Sequence, residues 1–245
     1  MEEIIEKLNL EFYKIQCKNW IPSQGSGTSA AGRTLENLLN KKEDNQILPD
    51  YYGIELKTKL ENSEPFIGLF SMALDNKPLE MQRLLELGGY PDKTNPEFKA
   101  FHISVDGINW KQVRNYFYRL KVNYDKEIIQ LEIINYGFHQ IESEMSWSFM
   151  QLQSRLEHKL SYLAIIPTKK YLKNGILYFK YLNIKYYKLK NFNVFLELIQ
   201  NGTIRVVFKL SQYKNGEKYG KIHDRGTTFE IEEKNLELLF DIIEL

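Results

Sequence analysis

Asp50, Glu55 and Lys57 stand in the stretch LPDYYGIELKTK, residues 48–59, and their types and spacing suit hydrolysis of a phosphodiester. That reaction needs a divalent cation, an activated water and positive charge facing an anionic transition state. Alternate residues of a strand share a face, so Glu55 and Lys57 project together, with Lys59 beyond them. Asp50 follows Pro49 and can fold back beside Glu55 across a turn at Tyr51–Gly53. Two converging carboxylates offer Mg²⁺ the hard oxygen ligands it takes. A lysine beside them can orient the water and offset charge at phosphorus. The bare spacing is weak by itself, because a half-solvated strand often carries a Glu–Lys pair worth under about 1 kcal/mol.

The elements around this stretch must position it. EEIIEKLNLEFYKIQ has helical periodicity. PSQGSGTSAAGR is small-residue and Gly-rich, and TLENLLN is again helical, placing Glu36 on a helix 14 residues before Asp50. If that helix packs on the strand, Glu36 can support the same centre; an exposed helical Glu is the plainer reading. The Gly-rich run could approach a DNA backbone or aim amides at a phosphate. It lacks the GxxxxGK[ST] of a P-loop. EPFIGLFSMAL reads as a second strand, PLEMQRLLELGGY as a helix with Pro at its entry and Gly at its exit. FKAFHISVDG is a strand, and RNYFYRLKVNYDKEIIQLEIIN a hairpin turning at Asn123–Lys126. SWSFMQLQSRLEHKL is helical, SYLAIIP a strand, and ILYFKYLNIKYYKLK β-rich and basic. NVFLELIQNG is a helix closed by Gly202, and residues 203–233 two strands joined by a long polar loop. NLELLFDIIEL is expected to form the final helix. The fold class is α+β, with no internal repeat and no evident linker.

Net charge is only +1, but residues 155–190 hold nine Lys or Arg against the single acid Glu157, and the stretch from Glu230 holds six acids against Lys234. The near-zero total thus hides a basic region able to meet a polyanion; lysines on strands also guard edges against pairing. Cys17 is the only cysteine, which excludes an internal disulfide and a CxxC metal site. No segment reaches transmembrane length, and the acidic start is unlike a signal peptide. The expectation is a cytoplasmic protein with no membrane partner.

Gly25-Ser26-Gly27-Thr28, then Gly32-Arg33-Thr34-Leu35-Glu36, then Leu48-Pro49-Asp50 and Gly53-Ile54-Glu55-Leu56-Lys57-Thr58 form a pattern that resembles the MvaI/BcnI family, in the MutH-like branch of the PD-(D/E)XK endonucleases. Residues 25–59 carry the likeness. The family pattern has a further Gly where Ser29 and Ala30 stand, and Asp50 to Glu55 is a shorter spacing than in MutH. The resemblance implies a PD-(D/E)XK core with a mixed sheet flanked by helices, two lobes around a DNA cleft, and a single nuclease domain over 1–245. Its catalytic lobe would include about 1–110, and a β-rich recognition lobe about 160–232. It further implies a type II restriction endonuclease acting as a monomer on double-stranded DNA with Mg²⁺, nicking the strands in turn. The implied site is CCWGG, cut after the second C. By motif position Asp50, Glu55 and Leu56 would bind the metal, Lys57 would assist the water and Glu36 would support the site. A partner-activated nicking nuclease of the MutH type and a DNA-binding module without cleavage are the competing readings.

A G·C-rich target asks for Arg or Lys toward guanine and Asp or Glu toward cytosine. KYGKIHDRGTTF sets His223, Asp224 and Arg225 in a row between Gly220 and Gly226, with Lys209 a weaker candidate on the strand before. An exposed turn with an internal Asp–Arg contact is the alternative. His102, His139 and His158 have no metal-ligand spacing and are read as structural or surface residues.

Overall fold

The strand carrying Glu55 and Lys57, Ile54–Leu60, pairs in parallel with the long strand Tyr162–Lys173, setting Glu55 beside Leu163 and Lys57 beside Ile165. A parallel pair cannot be joined by a tight turn and needs a crossover. Here the crossover contains a large part of a second compact unit. The computed structural model describes residues 1–39, 49–75, 77–141 and 144–244. It divides into one unit of residues 1–65, 155–190 and 240–245, and another of 66–154 and 191–239.

In the first unit the Tyr162–Lys173 strand is central. Its edge opposite Ile54–Leu60 takes Ile176–Tyr181 along residues 168–173 and Lys185–Leu189 along residues 162–165, both antiparallel. Ile21–Pro22 and Phe240–Ile243 extend the sheet beyond those two strands. One face is covered by the helices Glu2–Gln16 and Ala30–Leu38. The first presents Ile5, Leu8, Phe12 and Ile15, an i, i+3, i+4 stripe, to a core that includes Leu35, Ile54, Leu56, Ala164 and Ile166. Ile54 and Leu56 therefore point into this core, and period-2 alternation sends Glu55 and Lys57 to the other face.

The second unit has two sheets, both antiparallel. One runs Phe66–Ser71, Thr228–Glu232, Ile204–Gln212, Lys99–Val105 and Tyr90–Pro91, with Ile222–Asp224 also pairing on Ile204–Gln212. The other is built on the hairpin Tyr116–Asn123 and Ile128–Asn135, which turns where the sequence places it. Ile204, Val206, Phe208 and Leu210 alternate into a core with Phe101, Trp147 and Phe229. The Trp147 indole N–H donates to the Met72 carbonyl at 3.1 Å, so the largest buried ring leaves no polar atom unpaired.

Helices and strands together make the chain α+β, as expected, and its sheets are mostly antiparallel. Three features depart from the sequence reading. The closing helix is confined to Leu236–Leu239 after a 3-10 turn, and Phe240–Ile243 is a strand beside Tyr186–Leu189. Phe240 is buried there, and an open strand edge satisfied by a β-branched segment outweighs the helical periodicity of NLELLFDIIEL. Ser146–Ser148 is likewise strand, so the next helix starts at Phe149. The compact units also interleave along the chain: residues 66–110 lie in the second unit, while 160–190 lie with Glu55 in the first. Among the described residues no helix is long and apolar enough to cross a membrane.

Candidate active site

Asp50 reaches the strand through a two-residue turn. Tyr51 and Ile54 exchange both backbone hydrogen bonds at 2.8 Å, and Tyr52 and Gly53 both take positive φ, 44° and 96°. That is the type I′ geometry, which matches strand twist and favours Gly at its second position. The chain so reversed brings Asp50 alongside the strand, where its Oδ2 accepts from the Leu56 N–H at 3.1 Å. The N–H and C=O of a strand residue point to the same edge, so the Leu56 carbonyl also faces the edge that Asp50 occupies. One carboxylate and one carbonyl thus meet there.

Glu55 is only 4% exposed. Its Oε1 accepts from Lys57 Nζ at 3.1 Å, and its Oε2 lies 3.1 Å from Lys159 Nζ in an ion pair that lacks hydrogen-bond alignment. Burial pushes the Glu55 carboxyl above the ordinary carboxylate range; Lys57 opposes the rise, Asp50 adds to it and Lys159 opposes it. Lys159 comes from the last turn of the helix Phe149–Leu160, anchored by buried Leu152, Leu156 and Leu160. Nothing in the sequence separates Lys159 from the other lysines of residues 155–190; only the parallel strand pairing brings it to Glu55. Lys59, on the same face, donates to the Glu64 carbonyl.

Glu36 is half-buried on Ala30–Leu38. Tyr181 holds that helix to the sheet, donating to the Ala31 carbonyl at 2.8 Å. Buried Thr34 ties the Gly-rich segment down, its Oγ1 accepting from Gln24 N–H at 2.9 Å and donating to the Ala30 carbonyl at 2.7 Å. A Cβ on Gly32 would stand 3.7 Å from both Glu36 Oε1 and Thr58 Oγ1. Glu36 therefore approaches the strand from the side of Thr58, which alternates to the face opposite Glu55 and Lys57.

The four residues expected to read bases lie in the second unit. Ile222–Asp224 pairs with Ile204–Gln212, setting His223 opposite Ser211 and Asp224 opposite Leu210. The His223 ring stacks on Tyr213, centroids 4.1 Å apart. Asp224 Oδ1 accepts from the Gly226 N–H at 2.9 Å, so it shapes the turn itself. Arg225 N–H donates to the Lys209 carbonyl at 2.9 Å, and its Nε donates to Ser211 Oγ at 3.1 Å. Lys209 lies 3.8 Å from Glu230.

His102, read from sequence as a structural or surface residue, is exposed and sits directly opposite Lys209 on the neighbouring strand. Burial of part of the ring, then Lys209 and Arg225, hold its imidazole below the ordinary 6.5. A depressed histidine contributes stability that is full above the unfolded value and lost as pH falls through the folded one. Thermal melts should decline less steeply from about pH 7 to about pH 5 in His102→Asn than in the parent. Equal slopes would refute the coupling.

A profile of the MvaI/BcnI restriction endonuclease family matches residues 9–240. The chain belongs to that family. Among solved structures, restriction endonuclease MvaI in complex with its cognate DNA substrate is similar at 27% identity and a TM-score of 0.89, covering 99% of this chain and 98% of that one. MvaI in the absence of DNA is similar at 26% identity and a TM-score of 0.63, with the same coverage. A comparison with curated proteins gave no match. Membership in the MvaI/BcnI family makes the chain a type II site-specific deoxyribonuclease.

Restriction endonucleases of this kind generally use divalent metal ions, and the residues present fit one. Among the described residues no three His, Cys, Asp or Glu cluster as a dedicated metal cage. The set is the Asp50 carboxylate and the Leu56 carbonyl at one strand edge, with the Glu55 carboxylate on the adjoining face. That suits a hard cation that keeps several of its waters and takes one or two carboxylates. Glu55 Oε2, buried and without an aligned donor, is an oxygen such an ion could satisfy.

Proposed function

We propose that this restriction endonuclease cleaves duplex DNA at CCWGG, after the second C, with Mg²⁺, acting as a monomer that nicks the two strands in turn. The observation that carries hydrolysis is Asp50 held beside Leu56 at the strand edge, with Lys57 hydrogen-bonded to Glu55 on the adjoining face. Full-length similarity to MvaI supports the choice of site. In this reading the first unit is the PD-(D/E)XK core.

Asp50, Glu55 and Leu56 hold the cation. Bound there, it supplies Lewis-acid stabilisation of the charge that develops at phosphorus. Lys57, only partly exposed and next to that site, aligns the attacking water while offsetting the growing negative charge. Glu36 supports the edge from its helix. On the second unit Arg225 and Lys209 donate to guanine O6 and N7, Asp224 accepts from cytosine N4, and His223 contacts the same base edges.

Digestion of plasmid DNA by the purified protein and Mg²⁺, followed by sequencing of the ends, tests this directly. Double-strand cuts at CCWGG with one-base 5′ overhangs are expected. Cuts at an unrelated sequence, or nicks that require an added protein, would overturn it. Arg225→Ala should cost roughly 5- to 150-fold in discrimination between CCWGG and sites altered at one G·C pair, the range for losing one bidentate base contact. The ratio of kcat/KM values on the two duplexes measures it.

A further inference from the structure

The strand beside the catalytic one does not stop where its partner stops. Ile54–Leu60 ends opposite Thr168, whereas Tyr162–Lys173 continues for five exposed residues and returns as Ile176–Tyr181. Residues paired across a sheet project to the same face. Leu163, Ile165 and Pro167 therefore share the face of Glu55, Lys57 and Lys59. Continuing by twos, so do Lys169, Tyr171 and Lys173. Across the hairpin Lys180 stands opposite Lys169, and Tyr178 opposite Tyr171. Trp20, one residue before the Ile21–Phe179 pair, falls in line with Lys180, and its ring centroid lies 5.3 Å from that of Tyr171. The Tyr171 and Tyr178 rings are 5.9 Å apart.

This end of the face is thus a ladder of lysines and aromatic rings. Trp20 is 36% and Tyr171 43% exposed. Lys169 and Lys180 oppose each other directly, an arrangement that destabilises a sheet unless an anion lies over it. Glu61 reaches Lys169 only at 3.7 Å, with both side chains largely in solvent, and offsets little. Guarding a free edge would account for lysines here, but not for the exposed rings of Trp20 and Tyr171 with half-buried Tyr178 on the same face.

Resting on the proposed function, we infer that the ribbon 168–181 with Trp20 is a second DNA-contact surface, which grips the duplex outside the cleaved sequence through its phosphates. The partner is duplex DNA because the charge is positive and the ribbon continues the sheet face that bears Glu55 and Lys57. Counting from Ile165, level with Lys57, Lys169 lies about 13 Å and Lys173 about 26 Å along the strand. A duplex aligned with it rises about 3.4 Å per base pair, so the contacts fall about 4 to 8 base pairs from the cut. They are blind to sequence, as phosphate contacts are.

The test is anisotropy titration, without divalent cation, of two labelled duplexes bearing the site. One has flanks of about 12 base pairs and the other about 2. The variant K169Q/K173Q/K180Q should bind the long duplex about 10-fold or more weakly than the parent, with a salt slope shallower by about 2 to 3. On the short duplex, which ends about 4 to 5 base pairs from the cut, the difference between the two proteins should shrink, because only the contacts nearest the site remain. Tyr171→Ala should weaken the long duplex with no change of slope, which separates ring contacts from charge. Equal affinities and parallel slopes for parent and triple variant on the long duplex would overturn the inference. A parent that binds but never cuts CCWGG would instead overturn the proposed function, leaving the ribbon to be judged by the slopes. Thermal melts of the variants, expected at the parent's temperature, confirm that folding is not what has changed.

Discussion

Glu55→Gln is expected to slow cleavage by about 10³-fold or more, near 4 kcal/mol of lost transition-state stabilisation, while leaving duplex binding within a few-fold. The substitution keeps the shape of a residue that is 4% exposed, so packing is preserved. What it removes is the carboxylate that neighbours Asp50 and serves as the countercharge of Lys57 and Lys159, each 3.1 Å away. An amide offers a cation one weak oxygen in place of an anionic one. Asp50→Asn should behave alike for a related reason: its remaining oxygen can still accept from the Leu56 N–H, so the turn survives and only the charge is lost. Single-turnover cleavage of a labelled duplex at saturating Mg²⁺ is the measurement. Either variant retaining a tenth of the parent rate would remove that residue from the metal site.

How much of this was legible beforehand depends on how local each feature is. Asp50, Glu55 and Lys57 lie within eight residues, and their meeting requires only a turn and the period of a strand. Both are dictated by neighbours: Gly53 permits the positive φ, while Ile54 and Leu56 bury the opposite face. Lys159 is 104 residues from Glu55 in the chain and reaches it through a parallel pairing that no local pattern announces. That pairing also explains the interleaved units, because its crossover holds residues 66–154. Phe240–Ile243 shows the same limit. Its periodicity is compatible with helix, and only the open edge at Tyr186–Leu189, remote in sequence, selects strand. His102 reads as an isolated histidine until its register opposite Lys209 is known.

Lys159 makes a prediction whose two parts have opposite signs. With Asp50, Glu55 and Lys57 it forms a cluster of two carboxylates and two ammonium groups, neutral as a whole, and it acts as a positioning residue by holding Glu55 Oε2. Lys159→Met keeps the aliphatic stem that packs along the helix but removes the charge. Glu55 then loses the group that fixes its second oxygen, and kcat should fall about 10- to 100-fold, the usual effect of deleting a partner that orients a ligand. The cluster meanwhile becomes negative by one, which attracts a divalent cation more strongly. The Mg²⁺ concentration for half-maximal rate should therefore drop even as kcat falls. Simple disruption of the site would lower kcat and raise that concentration together, so the pair of measurements separates the two. Lys159→Arg, which restores the charge and reaches a carboxylate with a fork of donors, should recover most of kcat and return the Mg²⁺ requirement toward the parent's. A methionine variant with unchanged kcat and Mg²⁺ requirement would show that the 3.1 Å contact to Glu55 has no part in cleavage.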